Sequence, residues 1–242
     1  MPEQTARKPR IGILETGRPP VELGEVYRDY PEMAVQWLSG VDATFTRFAV
    51  LDNQFPADVK DADLWLIMGS KFGVYDGDPW ISRLEEFVRA THQAGGRMFG
   101  ICFGHQIIAK ALGGTVIKSP KGWGVGVYRY DVTENWPPLF GPRPDALTIQ
   151  AFHQDQVVTP PPGARLLATS EFCPYAAFWY PGFAVTVQGH PEFSRDYVAN
   201  LLEKRRESTV PGPVVDAARA RETTETNAEQ LADLLDAHWT DF

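Results

Sequence analysis

Cysteine is scarce: only Cys102 and Cys173 occur in 242 residues. Neither sits in a C-x-x-C pair or a Cys/His cluster, which excludes a disulfide-stapled secreted scaffold and a structural zinc site and favours a reducing compartment. Long apolar runs are missing as well. No stretch is apolar for long enough to span a bilayer, and residues 1–10 lack the apolar core of a secretory signal, so the expected location is cytoplasmic with no membrane partner. A basic field is also absent. The formal net charge of -8 argues against a nucleic-acid partner, because phosphates need a basic surface or stripe. The densest basic cluster, Lys204-Arg205-Arg206, falls in a helical pattern and reads as a solvated face or a helix end. The glycines supply neither a P-loop nor a dinucleotide fingerprint, and nothing implies a metal, nucleotide or flavin cofactor.

What is present suits one substantial core. A content of 43% hydrophobic and 22% charged residues is ordinary for a globular chain, and the length predicts a tail over 1–9 and a single domain over 10–242. Arg10-Ile11-Gly12-Ile13-Leu14 reads as a buried first strand. Gly17-Arg18-Pro19-Pro20 and Asp29-Tyr30-Pro31 predict a loop over 15–31 across the top of a sheet, followed by a helix over 32–38 and a strand over 43–50. Residues 64–68 form a fully apolar strand that stops at Gly69-Ser70. Asp78 as N-cap and Pro79 then open a helix with Trp80, Leu84, Phe87 and Val88 on one face, ended by Gly95-Gly96. A strand over 97–101 and a helix over 103–112 follow.

This alternation predicts an α/β fold with a mostly parallel central sheet flanked by helices, and active sites beyond the carboxyl ends of its strands. From about residue 115 the rhythm changes to shorter strands, some antiparallel, over 125–132, 147–152, 164–169, 175–180 and 183–188. Helices are expected over 195–206 and 225–238, separated by the break Pro211-Gly212-Pro213.

Gly100-Ile101-Cys102-Phe103-Gly104 has the form G-x-nucleophile-x-G between a predicted strand and a predicted helix. Small flanking residues permit a strained turn that exposes the side chain, and the helix N-terminus behind it favours a thiolate. The plain alternative is a buried structural cysteine, the reading given to Cys173. A thiolate nucleophile needs a proton donor for its leaving group. His190 ends the apolar run 183–188, and Glu192 follows at i+2, on the same side of an extended segment, where a carboxylate fixes the imidazole tautomer. As alternatives, His190 is a turn residue and Glu192 a helix N-terminal carboxylate. His105 is expected to line the pocket, and His92 and His238 to lie on the surface. An oxyanion hole needs two donors. The N–H of Phe103 is one, and Gly69 or Ser70 offers the other, unless the glycine serves only the turn.

Together, Gly100-Ile-Cys102-Phe-Gly-His-Gln106 and Gln188-Gly-His190-Pro-Glu192 resemble the nucleophile and histidine-glutamate motifs of class I glutamine amidotransferases. Phe152-His153-Gln154-Asp155 resembles the segment that contacts substrate glutamine in that family. The resemblance spans roughly residues 10–206 and implies a flavodoxin-like sheet. It also implies a Cys102-His190-Glu192 triad that hydrolyses glutamine through a γ-glutamyl thioester, with Gln106 and the backbone near His153 and Gln154 holding the substrate's α-amino and α-carboxylate groups.

The segment from Ile13 to Gly17, with Pro19-Pro20 and Asp29-Tyr30-Pro31, resembles the single-domain, GMP-synthase-like branch that includes plant γ-glutamyl peptidases. Where that branch carries an acidic residue after Trp123, this chain has Gly124. No synthetase domain is expected after residue 242, so ammonia from glutamine would pass to an acceptor protein. The alternatives are a γ-glutamyl peptidase acting on glutathione-type peptides, a PfpI-like protein, whose acidic partner usually comes from elsewhere, and a catalytically silent binding or regulatory protein of the same fold.

Overall fold

The computed structural model describes residues 7–242. The expected tail over 1–9 thus lies largely outside the described residues, and Arg7 and Lys8 pair with Asp63 and Asp42. Strand β1 (Arg10–Leu14) runs parallel to β2 (Thr44–Phe48) on one side and to β3 (Leu64–Ile67) on the other. Strands β4 (Met98–Ile101) and β11 (Ala184–Val187) continue the parallel run. Beyond β11 every pairing is antiparallel, through β10 (Ala177–Tyr180), β9 (Arg165–Thr169), β6 (Gly124–Val132) and β7 (Ala146–His153). Among the described residues the sheet order is β2-β1-β3-β4-β11-β10-β9-β6-β7.

The central strands LWLI, MFGI and AVTV are buried throughout because helices cover both faces. Alternation divides β3 between the two cores: Leu64 and Leu66 join one, Trp65 and Ile67 the other. On the first face lie α2 (Tyr30–Trp37) and α7 (Glu229–His238), which bring Ala34, Leu231, Leu234 and Leu235. On the second lie α3 (Pro79–Gln93) and α4 (Phe103–Ala111), which bring Trp80, Leu84, Val88 and Ile107. Each of the leucine, isoleucine and valine side chains among these contributes about 1.5–3 kcal/mol by leaving water. A third cluster joins α5 (Arg195–Arg205) to α6 (Gly212–Arg219) through Val198, Leu201, Val215 and Ala218.

Several local expectations need correction. The predicted loop over 15–31 contains a helix, α1 (Val21–Tyr27), that buries none of its residues and so shows no apolar stripe. Helix α2 starts at Tyr30, because Asp29 and Glu32 form a capping box and Pro31 sits in the first turn, where a missing N–H costs nothing. For the same reason Pro211-Gly212-Pro213 starts α6 instead of merely breaking the chain. Asp78 holds the N-cap position of α3 but accepts no side-chain bond. Strands β5 (Thr115–Lys118) and β8 (Asp155–Thr159), which the sequence pattern did not separate out, form a two-stranded antiparallel ribbon. No helix is long and apolar enough to cross a membrane among the described residues.

Candidate active site

Strands β3, β4 and β11 are adjacent and parallel. Their carboxyl ends lead into Gly69, Cys102 and His190, so three distant sequence motifs meet at one edge of the sheet. Cys102, between β4 and α4, has φ 52° and ψ -99°, a left-handed conformation that costs a non-glycine residue about 1–3 kcal/mol. Two backbone bonds hold it. Its N–H donates to Val187 O at 2.8 Å, and its carbonyl accepts from Gln106 N–H at 3.1 Å.

The flanking glycines do not carry this strain, since Cys102 alone of the motif has positive φ. They permit close approach: a Cβ on Gly100 would lie 2.7 Å from Gly104 C, and one on Gly104 2.4 Å from Ile67 O.

His190 is fixed from three directions. Its N–H donates to Gln150 O at 2.7 Å, its Nδ1 lies 2.8 Å from Glu192 Oε1, and its ring stacks on Phe193 with centroids 4.0 Å apart. Burial favours the neutral imidazole, but the charge of Glu192, then that of Cys102, outweighs it and raises the His190 pKa well above the ordinary value. Glu192 does not serve α5 as an N-terminal carboxylate: that helix begins at Arg195, with Ser194 as its cap. Its Oε2 is buried with no partner among the described residues.

Cys102 and His190 line one cavity of about 520 Å³ with Gly69, Ser70, Gln106, His153 and Gln154. A larger one, about 730 Å³, opens behind Glu192 between α2 and α7 and touches neither Cys102 nor His190. The smaller is the candidate site, because it holds both the cysteine and the imidazole.

A Cβ at Gly69 would stand 2.6 Å from His190 Cε1, so the bare backbone makes room for the imidazole. Ser70 Oγ is spent on Thr16 O at 2.6 Å, leaving its backbone N–H as the group it can offer. Phe103 opens α4, where a helix N–H has no intrahelical acceptor. Gln106 uses Nε2 on Asp155 O and Gln188 Oε1, at 2.9 and 3.1 Å, leaving its carbonyl oxygen for an ammonium group.

His153 is buried, with its pKa pushed down to about 4 by desolvation. A neutral ring facing Asp155 O at 3.1 Å carries its proton on Nδ1, and Nε2 has no partner among the described residues. His105 departs from expectation. It lies fully buried outside the cavity, with Nδ1 2.8 Å from Thr186 Oγ1 and its ring stacked on Phe178. Apolar burial also pushes the Cys173 thiol up to about 12. A side chain at Gly124 would require Phe172 to shift, because a Cβ there would meet Phe172 Cε1 at 2.4 Å and His153 Nε2 at 3.2 Å. Tyr30, expected in a loop, and Arg205, expected on a solvated face or at a helix end, also line the cavity.

The family model "Glutamine amidotransferase class-I" matches residues 46–204. A glutamine amidotransferase-like protein of Schizosaccharomyces pombe is 35% identical over 83% of this chain and 86% of its own. Gamma-glutamyl peptidase 3 of Arabidopsis thaliana is 32% identical over 65% of this chain and 66% of its own. In fold, the crystal structure of a glutamine amidotransferase from Thermotoga maritima superposes with a TM-score of 0.73 at 21% identity, covering 95% of this chain and 97% of that one.

Proposed function

Because the chain belongs to the class I glutamine amidotransferases, we propose that it hydrolyses a γ-glutamyl amide through a γ-glutamyl thioester on Cys102. Cys102 Sγ attacks the γ-carbonyl carbon, and the developing oxyanion is met by the N–H groups of Phe103 and of Gly69 or Ser70. His190, held as imidazolium, gives its proton to the departing nitrogen as the C–N bond breaks. The neutral imidazole then takes a proton from water, which attacks the thioester and releases glutamate. Glu192 orients the ring and balances its charge. Gln106 and the backbone near His153 and Gln154 hold the α-amino and α-carboxylate groups.

The observation that carries this reading is the strained Cys102 elbow sharing a cavity with an imidazole whose far nitrogen is 2.8 Å from a buried carboxylate. The released amine is ammonia for an acceptor protein if the substrate is glutamine, or an amino acid or peptide if it is a γ-glutamyl peptide. The test is glutamate release from glutamine and from a panel of γ-glutamyl dipeptides. Turnover that disappears in Cys102→Ala and His190→Ala is expected, and equal turnover by Cys102→Ala and the unsubstituted chain would refute the mechanism.

A further inference from the structure

Three consecutive basic residues close α5, and they do not share a role. Lys204 pairs with Glu22 at 2.7 Å, and Arg206 with Glu203 and Asp216 at 2.9 and 2.8 Å. Arg205, between them, has no carboxylate partner among the described residues, is half-buried, and lines the cavity that holds Cys102 and His190. Its position is fixed by a tight reversal at the helix end, where the N–H groups of Thr209 and Val210 both donate to Arg205 O at 3.0 Å.

The cavity's other cations are differently placed. Arg18 is committed to Glu15 and Asp52. Lys71 Nζ lies 5.3 Å from the centroid of the Phe72 ring, and Lys118 pairs in register with Asp155 on the β5–β8 ribbon.

Arg205 also shares its cavity with the residues of the proposed reaction. Among the lining residues Gln106 and His153 both meet Asp155 O, whereas Phe193 stacks on His190 and leads into α5, which brings Leu201 and Arg205 to the same cavity as a second wall. In the proposed reaction the leaving nitrogen takes its proton from His190, so a group carried on that nitrogen would be received beside His190, on the wall that Phe193, Leu201 and Arg205 form. Ammonia would leave this wall empty. An amino acid would cover Phe193 and Leu201 and bring its carboxylate to the guanidinium, whose fork matches it in a bidentate pair. In a chain of net charge -8, an unpaired guanidinium inside a cavity selects an anion against the surrounding field.

We infer that Arg205 receives the leaving-group carboxylate, so that the preferred substrates are γ-glutamyl amino acids and peptides over free glutamine; this rests on the γ-glutamyl thioester reading above. The Sγ–C bond forms as the C–N bond breaks, the His190 proton goes to the amino nitrogen, and the free amino acid departs. Water then hydrolyses the thioester, and no further reactant is needed.

The test compares kcat/KM for γ-glutamylglycine, γ-glutamylglycinamide and glutamine, with acylation of Cys102 followed by mass spectrometry. The carboxylate substrate is expected to exceed the amide by about tenfold, the scale of one charged hydrogen-bonded pair. Arg205→Gln brings that ratio towards one, chiefly through KM, and Arg205→Lys restores part of it. Lys71→Gln and Lys118→Gln keep it. A ratio near one in the unsubstituted chain, a ratio that survives Arg205→Gln, or one lost only in the lysine variants overturns the Arg205 assignment and leaves the thioester reading standing. No turnover of any of the three, with Cys102 unacylated, overturns both.

Discussion

Replacing Gly69 with alanine adds a methyl carbon where His190 already stands. The added Cβ would lie 2.6 Å from His190 Cε1, whereas ordinary contact begins at 3.4 Å, so the ring or the strand end must give by roughly 0.8 Å. The ring has little room to do so, with Phe193 stacked at 4.0 Å and Glu192 bonded to Nδ1 at 2.8 Å. Overpacking of this kind costs about 1–3 kcal/mol, and at roughly 2–4 °C per kcal/mol for a chain of this size Tm falls by several degrees. Displacing a reacting group by about 1 Å costs about a hundredfold in rate. Gly69→Ala is therefore expected to keep its circular dichroism spectrum, melt several degrees early, and release glutamate about a hundredfold more slowly. Gly96→Ala is the control, because its Cβ meets Thr91 Cγ2 at 2.5 Å far from the cavity; it lowers Tm and spares turnover. Unchanged kcat and kcat/KM in Gly69→Ala would refute the argument that this glycine exists to seat the imidazole.

Glu192→Gln removes the charge that outweighs burial at His190, so kcat falls by about 10²- to 10⁴-fold, read from glutamate release. The raised His190 pKa means that its protonated form contributes stability in full below about pH 6.5, lost as pH rises through the elevated folded value. Tm measured from pH 6 to 10 is expected to begin its decline at lower pH in Glu192→Gln. Gly124→Asp, which installs the acid of the related branch, forces a side chain against Phe172 and His153 and lowers Tm by an amount corresponding to about 1–3 kcal/mol; an unchanged melting curve would show that the β6 start can shift. Glu15 is fully buried and bonded to Arg18 and Arg47. Glu15→Gln weakens both pairs, is expected to cost about 2 kcal/mol in chemical denaturation, and loosens the segment that carries Arg18 and Tyr30 into the cavity.

The parallel half of the sheet was legible because its signals are local. Leu64 to Met68 and the strand before Cys102 are apolar runs bounded by glycine, and α3 announces its buried face through Trp80, Leu84 and Val88. Helix α1 was not legible, since a helix that buries nothing leaves no periodic stripe. The β5–β8 ribbon was hidden because its partners are far apart in sequence, pairing Thr115 with Thr159 and Lys118 with Asp155. At the site, Cys102, His190 and Glu192 could be picked out from residue type and spacing, and the i+2 argument matches the 2.8 Å contact between His190 and Glu192. Arg205 could not, because only the neighbours of Lys204 and Arg206 distinguish it from a solvated basic run. His105 was misplaced for a related reason: a polar residue beside a nucleophile looks like a pocket residue until Thr186 and Phe178, distant in sequence, are seen to enclose it.

The glycines of the site share one physical cause, which is not conformational freedom. Gly69, Gly100, Gly104 and Gly189 are all absent from the positive-φ positions, and the strained backbone belongs to Cys102. Each is a place where another part of the chain comes too near for a side chain. His190 approaches Gly69 and Ile67 approaches Gly104, while a Cβ on Gly189 would meet Ile149 Cδ1 at 2.6 Å and Gln150 O at 2.8 Å. The last contact explains what the antiparallel half of the sheet does for the chemistry. Strand β7 lies at the far edge of the sheet order, yet Gln150 bridges to His190 and accepts its N–H. His190 is thus held by its ring at the end of β3 and by its backbone on the middle of β7. The spacing G-x-C-x-G and G-H-P-E is therefore a packing signature: it records where the backbone must close in so that a strained thiol and a charged imidazole share one cavity.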